Sequence, residues 1–119
     1  LHFAAASGDV RTAELLIEAG AELEARSVSG FTPLHLAASG GKLDMIDLLV
    51  ARGANLEATG KNRVRTPLYT AAVTGQLAAV TRLLALGANA NGTGGQGRPI
   101  LIALDEDIKE VLRQHGATE

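Results

Sequence analysis

A chain of 119 residues, 46% hydrophobic and 20% charged with a net charge of −2, has enough apolar material for one packed domain and is neither a disordered segment nor a basic tail. Aromatic residues make up only 3% and Trp is absent, which excludes a stacking platform for single-stranded nucleic acid or sugars. The absence of Cys excludes disulfides, thiolate zinc sites and a thiol nucleophile, and no apolar run reaches the roughly 18 residues of a spanning helix, so membrane insertion is not expected.

The opening segment, Leu1-His2-Phe3-Ala4-Ala5-Ala6-Ser7-Gly8, has neither the basic leader of a signal peptide nor an initiator Met, so a fragment with a truncated first unit is expected. The compartment is not readable; the cytoplasm is the default. The segment predicts a short helix stopped at Gly8, where a left-handed residue is needed. A second helix carries Leu15-Leu16-Ile17 and closes at Gly20. An extended loop containing Val28, Ser29 and Phe31 leads into Thr32-Pro33-Leu34-His35-Leu36-Ala37-Ala38. Thr32 suits an N-cap, because its hydroxyl oxygen accepts from an unpaired first-turn amide, and Pro33 suits the first helical position, where a missing N–H does no harm. Gly41 ends that helix; Leu43, Ile46, Leu49 and Val50 then recur at helical spacing up to Gly53. The pattern returns after Lys61, Asn62, Arg63 and Arg65 with Thr66-Pro67-Leu68, Gly75, then Leu77, Val80, Leu83 and Leu84 before Gly87. A glycine-rich hairpin with Arg98 follows, Pro99 opens a helix, and a polar last helix, with Asp107 as its expected cap, ends near Gly116.

Leu34 follows Leu1 by 33 residues and Thr66 follows Thr32 by 34. Gly20, Gly53 and Gly87 each lie 12 residues beyond Gly8, Gly41 and Gly75. Two landmarks that keep one spacing three times define repeated units, placed at 1–26, 27–59 and 60–93, with a shortened capping unit at 94–119. Helices of about ten residues are marginal in water alone, and stacking side by side supplies each apolar face with a partner. The expected fold is an all-α repeat solenoid of helix–turn–helix units joined by β-hairpin loops. The small pairs Ala4/Ala5, Ala37/Ala38 and Ala71/Ala72 allow neighbouring helices to approach closely.

The run from Gly30 through Thr32-Pro33-Leu34-His35 to Ala38, with Gly41, Leu48-Leu49-Val50 and Gly53-Ala54-Asn55 behind it, resembles an ankyrin repeat in period and signature. The resemblance implies an L-shaped stack of about four repeats that binds another protein through a concave surface of hairpin tips and first helices. On this chain the tips are Val28, Ser29 and Phe31, then Asn62, Arg63 and Arg65; the groove positions are Ala6/Ser7, Ser39/Gly40 and Val73/Thr74. A monomeric, non-enzymatic interaction module without a cofactor is expected. The alternative is a targeting or regulatory domain of an enzyme whose catalytic part lies upstream. The last unit departs from the pattern: Ile100 to Gly116 is 16 residues where the equivalent span is 19 in the other units. Its Asp105, Glu106, Asp107, Lys109, Glu110 and Arg113 read as a cap facing water, so the chain is expected to end at its true C-terminus.

Charge is segregated. Between Ala58 and Leu104 there is no Asp or Glu, whereas Lys61, Arg63, Arg65, Arg82 and Arg98 fall there. A basic stripe across the third and fourth hairpins would attract a partner with an acidic surface; the competing reading is solvated loop charge, which contributes little. Phe31 beside these arginines has the composition of a binding anchor, or else folds back on the neighbouring hairpin. Arg82 stands where other units carry an apolar residue, so its stem should pack and its head stay exposed.

Other chemistry fares worse. Gly92-Thr93-Gly94-Gly95-Gln96-Gly97 fits a dinucleotide pattern but follows a helix end, not a strand. His2 and His35 share one repeat position that Tyr69 fills in the next unit, so a ligand or catalytic role is not expected; in the family that ring bonds within the loop framework. His115 lies at the end of the last helix, where a cation suits the dipole. Asp105-Glu106-Asp107 lacks the calcium-loop context, and a negative chain without a groove-reading helix fits double-stranded DNA poorly. The resemblance also raises hydroxylation of a hairpin asparagine, a place that only Asn91 fills, Glu24 and Glu57 being its equivalents.

Overall fold

A computed structural model describes residues 1–60, 66–92, 103 and 105–118. The described residues form helices α1 His2–Ser7, α2 Val10–Glu18, α3 Pro33–Ser39, α4 Leu43–Ala51, α5 Pro67–Val73, α6 Leu77–Ala85 and α7 Glu106–Gln114. Each first helix packs on the next, α1 on α3 and α3 on α5, while the second helices form a parallel layer in which α4 lies between α2 and α6 and α6 meets α7. The result is an elongated pile of 42 × 26 × 20 Å, built without a strand among the described residues.

Local chemistry sets the helix starts. The Thr32 hydroxyl accepts from His35 N at 3.4 Å, and Thr32 N donates to His35 Nδ1 at 3.2 Å, so each residue satisfies the other at the head of α3. The Thr32 hydroxyl also lies 2.7 Å from Nδ1, within hydrogen-bond distance. In the next unit Tyr69 replaces the histidine. Thr66 still accepts from Tyr69 N at 3.3 Å, and its hydroxyl donates across to Gly92 O at 2.9 Å. Asp9 caps α2 by accepting from Thr12 N and from the Thr12 hydroxyl. The cap of α7 is Asp105, which accepts from Asp107 N at 2.8 Å, whereas the sequence pointed to Asp107. The helix begins two residues earlier than that reading assumed, so Asp107 falls in the first turn, where the helix dipole still favours it.

Packing then closes the core between units. Ala4/Ala5, Ala37/Ala38 and Ala71/Ala72 are all buried on the first helices, as are Ile46, Leu49, Val80, Leu83 and Leu84 on the second. Leu43, Val50 and Leu77 pack at its edge, and Met45, not singled out in the sequence, is fully buried. Gly41 shows why a glycine holds the inter-helix turn. Its φ is 67°, in the left-handed region that strains any residue with a Cβ, and a Cβ there would also make the Gln76 side chain of the next unit move, since Oε1 would lie 2.6 Å away.

Long loops tie the units together through one repeated bond. Glu24 accepts from Asn55 N at 3.0 Å, Glu57 accepts from Asn89 N at 3.1 Å, and Asn91 Oδ1 accepts from Thr118 N at 3.0 Å. The three acceptors occupy equivalent places, one per unit, so Asn91 holds the last helix with the same bond that the glutamates make. The expected β-hairpin is a tight turn in the second unit: Gly30 N donates to Ser27 O and Ser27 N to Phe31 O, with no strand on either side among the described residues. The third and fourth hairpins, with Pro99 and most of the glycine-rich segment, lie outside the described residues.

Candidate functional site

The first helices align one face that is exposed on α1 and at the end of α5 and only partly exposed at Leu36, Ser39 and Thr70. On α1, Phe3, Ala6 and Ser7 are exposed; the equivalent places on α3 are Leu36, Ser39 and Gly40, and those on or just beyond α5 are Thr70, Val73 and Thr74. The spacing i, i+3, i+4 puts each trio on one side of its helix, and the stacking of α1, α3 and α5 aligns the trios side by side. Phe3 is 93% exposed and Val73 53%, both large apolar side chains in water. No Asp, Glu, Lys or Arg occurs in these three helices. Three of the four hydroxyls on this face are occupied as well: Ser7 donates to Ala4 O, Thr70 to Thr66 O and Thr74 to Thr70 O. What remains is an uncharged surface with little unmet hydrogen bonding, which costs little to dehydrate against an apolar partner.

The turn of the second unit borders the loop side of the stack. Val28 at its tip is fully exposed at 104%, and Ser29 beside it is exposed too. Phe31 is different. Its ring is partly buried and packs edge-on against His35, with centroids 5.9 Å apart, at the start of its own helix; the neighbouring hairpin lies outside the described residues. Its carbonyl lies 3.0 Å from His2 Nε2 of the preceding unit, and its N–H donates to Ser27 Oγ. His2 thereby joins two units, and His35 is fully buried. His115 Nδ1 lies 2.9 Å from Val111 O at the end of α7.

Arg82 departs from expectation. Its guanidinium pairs with Asp47 of α4, in the preceding unit, instead of standing free in water. Asp47 thus neutralises one of the five basic residues in the acid-free stretch. Lys61, Asn62, Arg63, Arg65 and Arg98 lie outside the described residues. Of the groove and tip positions read from the sequence, Val28, Ser29, Ser39, Val73 and Thr74 are at least partly exposed, with Ser39, Val73 and Thr74 brought together on one face. Phe3, Leu36 and Thr70 on that face were missed, although their signal was present: each sits three residues before Ala6, Ser39 and Val73, one helical turn away.

Little else resembles a chemical centre. A shallow hollow of about 440 Å³ lies between the inter-helix turns, lined by Ser7, Gly8 and Gly41 to Met45, and offers only Lys42 and Asp44 as charged groups. Among the described residues no three His, Asp or Glu side chains converge on a possible metal position, and no helix is long and apolar enough to cross a membrane. The Asp9 carboxyl is held below its ordinary range by the Thr12 hydroxyl and then by Thr12 N, a capping effect.

Residues 1–94 match the family model for ankyrin repeats, in three copies. None of the curated proteins matches the chain.

Proposed function

Because the chain belongs to the ankyrin repeat family, a generic protein–protein interaction module whose domains are generally non-catalytic, we propose that it is a non-enzymatic, monomeric module that holds a protein partner on its hairpin tips and concave first-helix face. The supporting observation is the uncharged face on the first helices, where Phe3 and Val73 are exposed at its two ends and Leu36 and Ser39 are partly exposed between them. Rigid stacking prepares that face before binding, which limits the ordering cost of association. The unit boundaries we assign to it are 1–26, 27–59, 60–93 and 94–119.

An acidic partner surface is part of the proposal. It is supported by the sequence alone, where Lys61, Arg63, Arg65 and Arg98 occur in a stretch without a carboxylate. Ser39→Asp with Val73→Asp tests the first-helix face: proteins captured by the intact chain should be lost from the double variant while its thermal midpoint stays near that of the parent. The same captured set retained by the double variant would contradict the assignment. Arg63→Glu with Arg65→Glu should weaken capture and leave the midpoint unchanged; a drop of several degrees would make these arginines structural.

A further inference from the structure

Arg26 is an exposed arginine held in place without a carboxylate. One Nη donates to Gly30 O of its own turn at 3.0 Å, and the other donates to Thr59 O of the next unit. None of the ion pairs among the described residues includes it. The guanidinium carries five N–H donors, so a fork already fixed by two carbonyls still has hydrogens to offer, and the rotamer entropy that an arginine normally loses on binding is already spent. Of the glutamates before Arg26 and Thr59 in sequence, Glu24 accepts from Asn55 N and Glu57 from Asn89 N, and neither pairs with Arg26. Two residues beyond Arg26, Val28 exposes its whole side chain at the turn tip. In the sequence Thr59 is followed by Lys61, Arg63 and Arg65 with no acid before Asp105.

We propose that Arg26 and Val28 form a receptor for a carboxylate next to an apolar side chain on an acidic segment of a protein partner. The proposal rests on the reading of the chain as a protein-binding module and adds to it the residue that selects the partner's charge. A preorganised guanidinium favours a planar carboxylate over a neutral amide or a point contact, and the exposed valine supplies apolar area beside it.

Short random peptides displayed on phage and selected on the folded chain provide the test. The selected peptides should be enriched in Asp or Glu beside an apolar residue, and their binding should weaken with rising salt. Arg26→Gln should weaken them by about tenfold or more, as expected for a lost charge-assisted bond, with partial recovery in Arg26→Lys. Val28→Asp leaves the Arg26 bonds in place, places a like charge at the tip and should weaken the same peptides, so the proposal stays testable if Arg26→Gln disturbs the fold. Peptides without acidic enrichment, or acidic peptides indifferent to both changes, overturn the proposal. Peptides lost only with Ser39→Asp and Val73→Asp overturn it while sparing the broader binding function; no selectable peptide, or none sensitive to any of these changes, overturns both.

Discussion

Thr32 and His35 are fully buried polar residues that satisfy each other at the head of α3. Thr32→Val keeps the volume but removes the hydroxyl that accepts from His35 N, leaving that buried amide without its cap, so the urea midpoint should fall by an amount equivalent to about 1–3 kcal/mol. Asp9 provides the pH-dependent counterpart. Its folded-state carboxyl titrates below the ordinary value of 3.8 because Thr12 bonds to the charged form. The stability it contributes is therefore complete above that value and lost as pH falls through the folded one. Urea midpoints measured from pH 6 down to pH 2 should show a decline that is shallower in Asp9→Asn; identical slopes would remove Asp9 from the account. Thr32 and Thr66 were legible as caps because a cap lies within three residues of its partner and each stands before a proline; Asp9, which caps α2, was not singled out. Nor was Asp105, because choosing between it and Asp107 requires knowing the helix start to one residue.

Whole helices were legible from the spacing of apolar residues and glycines, since each unit repeats the same local instructions. Contacts between units were less so. Arg82 and Asp47 lie 35 residues apart and meet only because α4 and α6 stack in a fixed register, which no local pattern in either segment announces. With both side chains more than a third exposed, a double-mutant cycle through Arg82→Ala and Asp47→Ala should give a coupling of only about 0.2–1 kcal/mol, shrinking in salt. A value near zero at low salt would leave Arg82 as a packing stem alone. The exposed first-helix face was half legible: the resemblance pointed to Ser39, Val73 and Thr74, while Phe3 was read as an ordinary helical residue because its equivalents, Leu36 and Thr70, differ from it and from each other in polarity.

At the scale of the molecule, stability is shared between neighbours. Leu16 is 37% exposed at one end of the pile, whereas its equivalents Leu49 and Leu83 are fully buried between units. The same side chain in the same helix position is thus covered only where a further unit lies against it. The flat, uncharged face on α1, α3 and α5 depends on this arrangement, because short helices without neighbours would not hold their exposed trios in line. Leu49→Ala, in the middle of the stack, should cost about 2–5 kcal/mol. Amide hydrogen exchange of that variant tests the claim most directly: exchange should accelerate in α2 and α6, which carry no substitution, as well as in α4, whereas acceleration confined to α3 and α4 would contradict an array in which each unit shelters the next.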